Sequence, residues 1–337
     1  MSVRVAINGM GVIGRELFRM LFEKEGYEIA FINDTHITPA NLKYLLQFDS
    51  LYPSLELRDR VSTGEESIIV NGRGFPLCKF DNALDMPLGE LKVDVMLECE
   101  GYYNTKFKAE DFIAAGARKA IICQSAGKDL PTIAYNVNHD TLKANDTIIS
   151  IPQMETQVAA QVFNALKQFK VKNAYCKAFR SYTNSQNTMD SYNPNGNFAL
   201  GRAAAWNITP LVAGFGNTVG LIVPEVNSKV KSMSYRAPVI NGSVMDITLE
   251  LDGTYSTEVL NAALKAAATE SFGYSEDPLC STDAIGNDMP QMLAKHTQVL
   301  QNESDKTTLA NITVIYDNVR HYCREVARVA KYFSELA

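Results

Sequence analysis

The sequence predicts an α/β protein in two parts: a parallel, helix-flanked sheet in the first half and an α+β unit with a mixed or antiparallel sheet in the second. Three observations carry this. Strand and helix patterns alternate from Arg4 to Ile151, the rhythm breaks at Pro152, and strictly alternating strands follow. The chain has 337 residues, and at roughly 150 residues per domain this favours two domains over the alternative of one large α/β unit.

Taken in order, Arg4–Asn8 is a short β-branched strand, and Arg15–Lys24 places Leu17, Phe18, Leu21 and Phe22 on one helical face. Tyr27–Asn33 is again strand-like. Val93–Glu98, a helix from Lys108 to Ala115, Lys119–Cys123 and Thr147–Ile151 continue the pattern. Short apolar strands separated by helices imply parallel pairing with right-handed crossovers. Beyond Pro152, a helix over Thr156–Phe169 would bury Ala159, Val162, Phe163 and Leu166. In Val244–Leu251, Met245, Ile247, Leu249 and Leu251 point one way while Asp246, Thr248 and Glu250 point the other, as a half-solvated sheet requires. The polar, glycine-rich stretch from Ser181 to Gly201 is too long for a simple connector and is expected to be functional or to form an interface. The last twenty residues form an amphipathic helix with Val326, Val329, Ala330 and Phe333 inward. The expected domains are residues 1–152 with 317–337, and residues 153–316.

Composition narrows the class. Hydrophobic residues are 46% and charged residues 21%, the mix of a folded chain rather than a disordered one. The 32 basic and 38 acidic side chains leave a net charge of -6. That balance gives no general attraction to nucleic acid or anionic membranes, and no Lys/Arg run supplies a local one. Six cysteines lie scattered without a C-x-x-C pair, so reduced thiols and no metal site are expected. The stretch before the first glycine turn is too short for a secretory leader or membrane span, which makes a cytoplasmic protein the expectation.

The strongest motif is Gly9-Met10-Gly11-Val12-Ile13-Gly14, a G-x-G-x-x-G placed directly after a strand and before a helix. Gly9 permits the tight turn, Gly11 lets backbone approach a pyrophosphate, and Gly14 lets helix and strand pack closely. The helix N-terminus offers free N–H groups and partial positive charge to phosphates. Asp34 lies 20 residues beyond Gly14 at the end of the second strand. Its carboxylate can accept from a ribose diol and would repel a 2′-phosphate, so the motif predicts a Rossmann domain binding NAD rather than NADP.

Asn8-Gly-Met-Gly-Val-Ile-Gly-Arg15 and Ile32-Asn33-Asp34 resemble the opening of the glyceraldehyde-3-phosphate dehydrogenase family. The likeness continues through Tyr44–Ser50, Glu98-Cys-Glu-Gly101 (the family's Glu-Ser-Thr-Gly), Val137-Asn-His139 and Ile148-Ile-Ser150. It runs on through Pro224-Glu-Val-Asn227, Met233–Pro238, Ser243–Asp246 and Tyr316-Asp-Asn318. The resemblance implies a Rossmann domain completed by the C-terminal helix, a mixed-sheet second domain and a homotetramer. It implies pyrophosphate near Met10, Gly11, Val12 and Ile13, ribose on Asp34, Gly101 beside the cofactor, and Asn318 orienting the nicotinamide amide. Val12 stands where the family has arginine, and Cys123 where it has serine or threonine.

The family's reaction uses a cysteine thiolate as nucleophile and a histidine to activate it. By the same resemblance, the nucleophile's segment reads Ser150-Ile-Pro-Gln-Met-Glu-Thr-Gln-Val158 here, with Met154 in the nucleophile's place. A thioether has no proton to lose and forms no thioester. The histidine's segment reads Arg180-Ser-Tyr-Thr-Asn-Ser-Gln186, and an arginine stays protonated at ordinary pH. Cys123 and Cys176 are weaker candidates for a substitute nucleophile, and His139, His296 and His321 read as surface or structural residues. Thr183 and Arg236 match the family's substrate-phosphate ligands. Its second anion site carries Gln153, Glu155 and Ala213 instead, and a carboxylate at Glu155 would repel inorganic phosphate.

Two readings of Glu155 and Arg180 stay open: a reworked catalytic site, with Arg180 clamping an anion and Glu155 handling a proton, or a salt bridge filling an abandoned one. Two functions follow. One is an NAD-dependent oxidoreductase acting on a small anionic aldehyde or oxo compound without the thioester mechanism. The other is a catalytically inactive NAD-binding homologue with a regulatory or scaffold role.

Overall fold

In the computed structural model of the chain, residues 2–53, 57–194 and 196–336 are described. The chain divides into two compact units, residues 1–152 with 323–337, and residues 153–322.

In the first unit the strands are β1 (Val3–Asn8), β2 (Tyr27–Asn33), β3 (Val61–Thr63), β4 (Ser67–Val70), β5 (Arg73–Cys78), β6 (Val95–Glu98), β7 (Lys119–Ile122) and β8 (Ile148–Ser150). The helices between them are α1 (Val12–Leu21), α2 (Pro39–Gln47) and α3 (Lys106–Ala114). The strands form one sheet in the order β3-β4-β5-β2-β1-β6-β7-β8. From β5 to β8 every pair is parallel, and only β3, β4 and β5 pair antiparallel. β6, β7 and β8 are buried on both faces, which is why they read as unbroken apolar runs rather than alternating ones. The chain builds outward from β1 in both directions, β2 on one side and β6 on the other. The carboxyl ends of β1 and β6 therefore flank the topological switch point, where open α/β sheets bind ligands.

Helix α1 starts at Val12, earlier than expected, because Gly11 is already its N-cap. Its Phe18 packs edge-on against Phe75 at 5.1 Å. On α3, Phe112 and Ala109 join a core with Ala6, Phe31, Met96 and Ala120. Burying each large side chain here contributes about 1.5–3 kcal/mol.

The second unit opens with α4 (Met154–Ala165), then β9 (Val171–Ser181), β10 (Thr209–Val212), α5 (Phe215–Ile222), β11 (Val230–Ala237), β12 (Ser243–Asp252), α6 (Thr257–Ala266), β13 (Gly273–Ser275), β14 (Gln291–Leu293), β15 (Gln298–Asn302) and β16 (Thr307–Tyr316). Its sheet runs β10-β11-β9-β12-β16-β14-β13, with β15 also on β16. β9–β11 and β13–β14 are parallel and the other pairs antiparallel, the mixed α+β sheet the sequence predicts. β12 alternates buried and half-buried along its whole length, with Met245, Ile247, Leu249 and Leu251 buried.

One expectation is corrected. Helix α4 does not have a single inner face: Ala159, Val162, Phe163 and Leu166 are buried, but so are Glu155, Thr156, Gln157 and Gln161. The helix is buried nearly all round, so its polar side chains form no solvated face.

The chain closes with α7 (Arg320–Glu335), which rejoins the first unit at Cys323. The return falls later than Asp317 because Asp317 is tied into the second unit, its carboxylate accepting from Asn241 Nδ2 at 3.1 Å and Gly286 N at 2.9 Å. Against the first unit, Val326, Val329, Ala330 and Phe333 are buried. Tyr27 donates to the Ala327 carbonyl at 2.8 Å, and Lys119 Nζ stands 4.3 Å from the centre of the Phe333 ring. His321 is buried, while His139 lies against Tyr135 and Tyr332.

Candidate active site

In the first unit the site is the turn after β1. Gly9 has φ +90°, and a Cβ there would stand 2.6 Å from the Glu100 nitrogen and 2.9 Å from the Cys99 carbonyl carbon. A Cβ on Gly14 would meet the Gly9 carbonyl oxygen at 1.8 Å. These two positions therefore admit no side chain. Gly11 differs: nothing lies within 4 Å of where its Cβ would be, so the first turn of α1 presents its backbone to open space. Val12 and Ile13 begin the helix, and the buried Met10 holds the loop from inside.

Asp34 braces this loop. Its Oδ2 accepts from Met10 N at 2.8 Å, and its Oδ1 accepts from His36 N at 2.9 Å and Ile37 N at 3.0 Å. Its own amide donates to the Cys78 carbonyl at 3.1 Å. Cys78 also lines a cavity of about 440 Å³, together with Pro39, Glu65, Glu66 and Phe80.

Below the turn lies a buried polar chain that the motif search does not reveal. Asn33 Nδ2 donates to Asn8 Oδ1 at 2.8 Å, and Asn8 Nδ2 donates to Glu98 Oε2 at 2.6 Å. The other oxygen of Glu98 accepts from Glu100 N at 2.9 Å and Gly101 N at 2.7 Å. Three strand ends are thus linked at the switch point. The available signal was three polar residues, Asn8, Asn33 and Glu98, each the last residue of its strand. Gly101 (φ +96°) continues the loop, its carbonyl accepting from Gln124 Nε2 at 3.3 Å. Burial pushes the Glu98 carboxyl up to about 7, against the opposing effect of the Asn8 hydrogen bond.

In the second unit, Met154 opens α4 and is buried. Glu155, in the first turn, is favoured there by the helix dipole. Its carboxylate pairs directly with the Arg180 guanidinium near the end of β9. On the neighbouring strand β11, Arg236 is the register partner of Arg180. Arg236 Nη1 donates to the Ser181 carbonyl at 2.7 Å. Asn318 Nδ2 donates to Ser181 Oγ at 2.8 Å, and its Oδ1 accepts from Ser243 Oγ at 2.9 Å. Ser181, Ser243 and the buried Tyr316 complete this cluster, and sequence reasoning did not single them out. They lie on separate strands and share no motif.

Two guanidiniums lie side by side here, and one of them, Arg180, is paired with a carboxylate. Burial, and then the charge of Arg236, lower Arg180 to about 10; burial also lowers Arg236 and raises the Tyr316 hydroxyl to about 12. At neutral pH both arginines stay charged, and the Nε groups of both are buried without a hydrogen-bond partner. The cluster therefore carries one positive charge in excess, with donors to spare. Thr183, expected beside Arg236, is exposed, and its hydroxyl pairs with Ser185 at 3.0 Å. Cys176 is fully buried, which pushes its thiol up to about 12 and removes it as a nucleophile. Among the described residues no group of three or more His, Cys, Asp or Glu could hold a metal ion, and no helix is long and apolar enough to cross a membrane.

Comparison with known proteins identifies the family of both units. The family model described as glyceraldehyde 3-phosphate dehydrogenase, NAD binding domain, matches residues 3–106, and the corresponding C-terminal domain matches residues 155–318. The chain is 35% identical to glyceraldehyde-3-phosphate dehydrogenase of Clostridium pasteurianum over 99% of each chain. It belongs to the glyceraldehyde-3-phosphate dehydrogenase family. The enzymes of the same name from Lactobacillus delbrueckii subsp. bulgaricus and Clostridium acetobutylicum are 35% and 33% identical, over 100% and 99% of each chain. Family membership makes NAD the cofactor, and the open cradle at Gly11, with no side chain tolerated at Gly9 or Gly14, fits it.

Glu98 generates a pH prediction. Its folded value lies above the ordinary 4.5, so its contribution to stability is complete below that value and is lost as pH rises through about 7. Denaturant unfolding at about pH 5 and about pH 8 should show wild type losing on the order of 2 kcal/mol more than Glu98→Gln over that interval. Equal pH dependence in the two proteins would contradict the assignment.

Proposed function

We propose that the protein is an NAD-dependent oxidoreductase that transfers hydride directly, without a thioester, to a small anionic aldehyde or oxo compound or, in reverse, from the corresponding alcohol. The observation that carries this reading is the buried Glu155–Arg180 pair with Arg236 beside it, which leaves one uncompensated positive charge for a substrate anion. We assign Met154 to the nucleophile's place and Arg180 to the base's, as the sequence resemblance implies. Bound NAD supplies a hydride acceptor, or NADH a donor, and that chemistry demands no cysteine. Arg180 and Arg236 bind the substrate's carboxylate or phosphate. Glu155 is the group that can exchange a proton with the carbonyl oxygen once the anion has taken its place on Arg180. Thr183 is the further candidate for the anion. The cofactor is assigned to Gly9, Met10, Gly11, Val12, Ile13, Gly14, Asp34 and Gly101, with Asn318 for the nicotinamide amide.

A non-catalytic NAD-binding role is the second reading, favoured by the fact that Glu155 already neutralises Arg180. In either case we place the protein in the cytoplasm as a homotetramer acting on small molecules, with no nucleic-acid partner. The apolar side chains exposed on the stretch after β9, among them Tyr192, Phe198, Trp206 and Val212, support self-assembly.

The deciding experiment screens carboxylated and phosphorylated carbonyls for NADH oxidation. Turnover is expected without added phosphate, and it should fall about 100-fold or more in the Glu155→Gln/Arg180→Met double variant, which removes both charges together and leaves neither buried unpaired. NAD binding with no carbonyl reduced would favour the non-catalytic reading. Phosphate-dependent oxidation of glyceraldehyde 3-phosphate that survives substitution of every cysteine would refute the assignment of Met154 and Arg180.

Asp34→Ala should weaken NAD binding by about 10- to 100-fold, the worth of one charge-assisted hydrogen bond, and narrow the preference over NADP. Titration calorimetry with both dinucleotides reads this. Unchanged affinities for both would show that Asp34 serves the turn alone.

A further inference from the structure

Six cysteines are free, and two of them meet. Cys99 follows β6 and Cys123 follows β7, each one residue beyond the parallel register that ends at Glu98 and Ile122. The Cys123 amide donates to the Glu98 carbonyl at 2.9 Å, which carries the pairing onto the two cysteines. Neighbouring strands lie about 4.8 Å apart, within the ~4.4–6.8 Å Cα separation that a disulfide bridges. The neighbouring Cys123 thiol, and then burial, hold Cys99 well above its ordinary value. Both residues are half-buried, so a small oxidant can reach them. Both also stand where the resembled family carries hydroxyl side chains.

The pair sits against the cofactor turn. The Cys99–Glu100 peptide is the surface on which Gly9 rests with no room for a Cβ. Gln124, next to Cys123, donates to the Gly101 carbonyl at 3.3 Å. A bond between Cys99 and Cys123 therefore ties together the two strand ends that support the turn and fixes the backbone on which Gly9 rests.

We propose that Cys99 and Cys123 form a reversible disulfide that lowers the affinity of the first unit for NAD. With a peroxide as oxidant, the Cys123 sulfur attacks the O–O bond, giving a sulfenic acid and one water. The second thiol then attacks that sulfur, forming S–S and expelling a second water. Two thiols lose two electrons and two protons, and the peroxide is reduced to two waters. An external dithiol reverses the step by exchange. The coupling to NAD rests on the assignment of the glycine turn to the dinucleotide; the crosslink itself does not.

The test treats the full-length protein with hydrogen peroxide and reads intact mass, a peptide map and NAD affinity. We expect a loss of about 2 Da, a Cys99–Cys123 crosslinked peptide and NAD binding weaker by about tenfold or more, restored by dithiothreitol. In Cys99→Ser and Cys123→Ser, measured against each variant's own untreated affinity, peroxide should no longer change NAD binding. Oxidation confined to the exposed Cys280, or higher oxides at Cys99 or Cys123 without a crosslink, overturns the pair. A crosslink that leaves NAD affinity unchanged overturns the coupling. Reduced protein that binds no NAD at all sinks the cofactor assignment of the turn and the coupling with it, while the crosslink is still judged by mass.

Discussion

Charge burial organises the second unit. Arg180 and Arg236 occupy paired positions on adjacent parallel strands, inside a shell that lowers both. Taking two like charges out of water together costs several kcal/mol per ion before any pairing. Glu155, set in the first turn of α4, offsets one of them. This requirement explains why a helix buried nearly all round still begins with a carboxylate, and why Arg236 spends a donor on the Ser181 carbonyl. It also underlies the proposed substrate class: what the protein does not neutralise itself, a bound anion can.

The first unit is governed by clearance instead. Gly9 and Gly14 stand so close to neighbouring backbone that no side chain fits, while Gly11 faces open space. Packing on one side and emptiness on the other are what a dinucleotide turn needs. The hydrogen-bonded line Asn33–Asn8–Glu98 holds the ends of β2, β1 and β6 in step beneath it. Asp34 ties the Met10 amide from above. The cysteine pair lies on the same support, which is the basis of the proposed effect of its oxidation on the turn.

The fold was largely legible in the sequence because buried parallel strands and amphipathic helices leave distinct periodicities. Gly9, Gly11, Gly14 and Asp34 were legible because the turn's geometry restricts residue type. The β3–β5 extension was not, since short edge strands carry little pattern. The nearly all-round burial of α4 was missed because Thr156, Gln157 and Gln161 read as a solvated face. Glu155 and Arg180 were visible as unusual residues, but their direct pairing depends on where α4 meets β9, which no local pattern records. The Cys99–Cys123 contact was hidden in the same way, since it follows from strand register. Asn318 shows the opposite case: its place was identified, yet its partners Ser181 and Ser243 emerge only from the folded sheet.

The central claim is that hydride passes directly between nicotinamide and substrate, with no covalent intermediate on the protein. Reaction with NADH deuterated at the nicotinamide C4, followed by mass analysis of both product and quenched protein, tests it most directly. The account predicts deuterium on the product's former carbonyl carbon and a protein of unchanged mass. An acyl adduct trapped on any side chain of the quenched protein would contradict it.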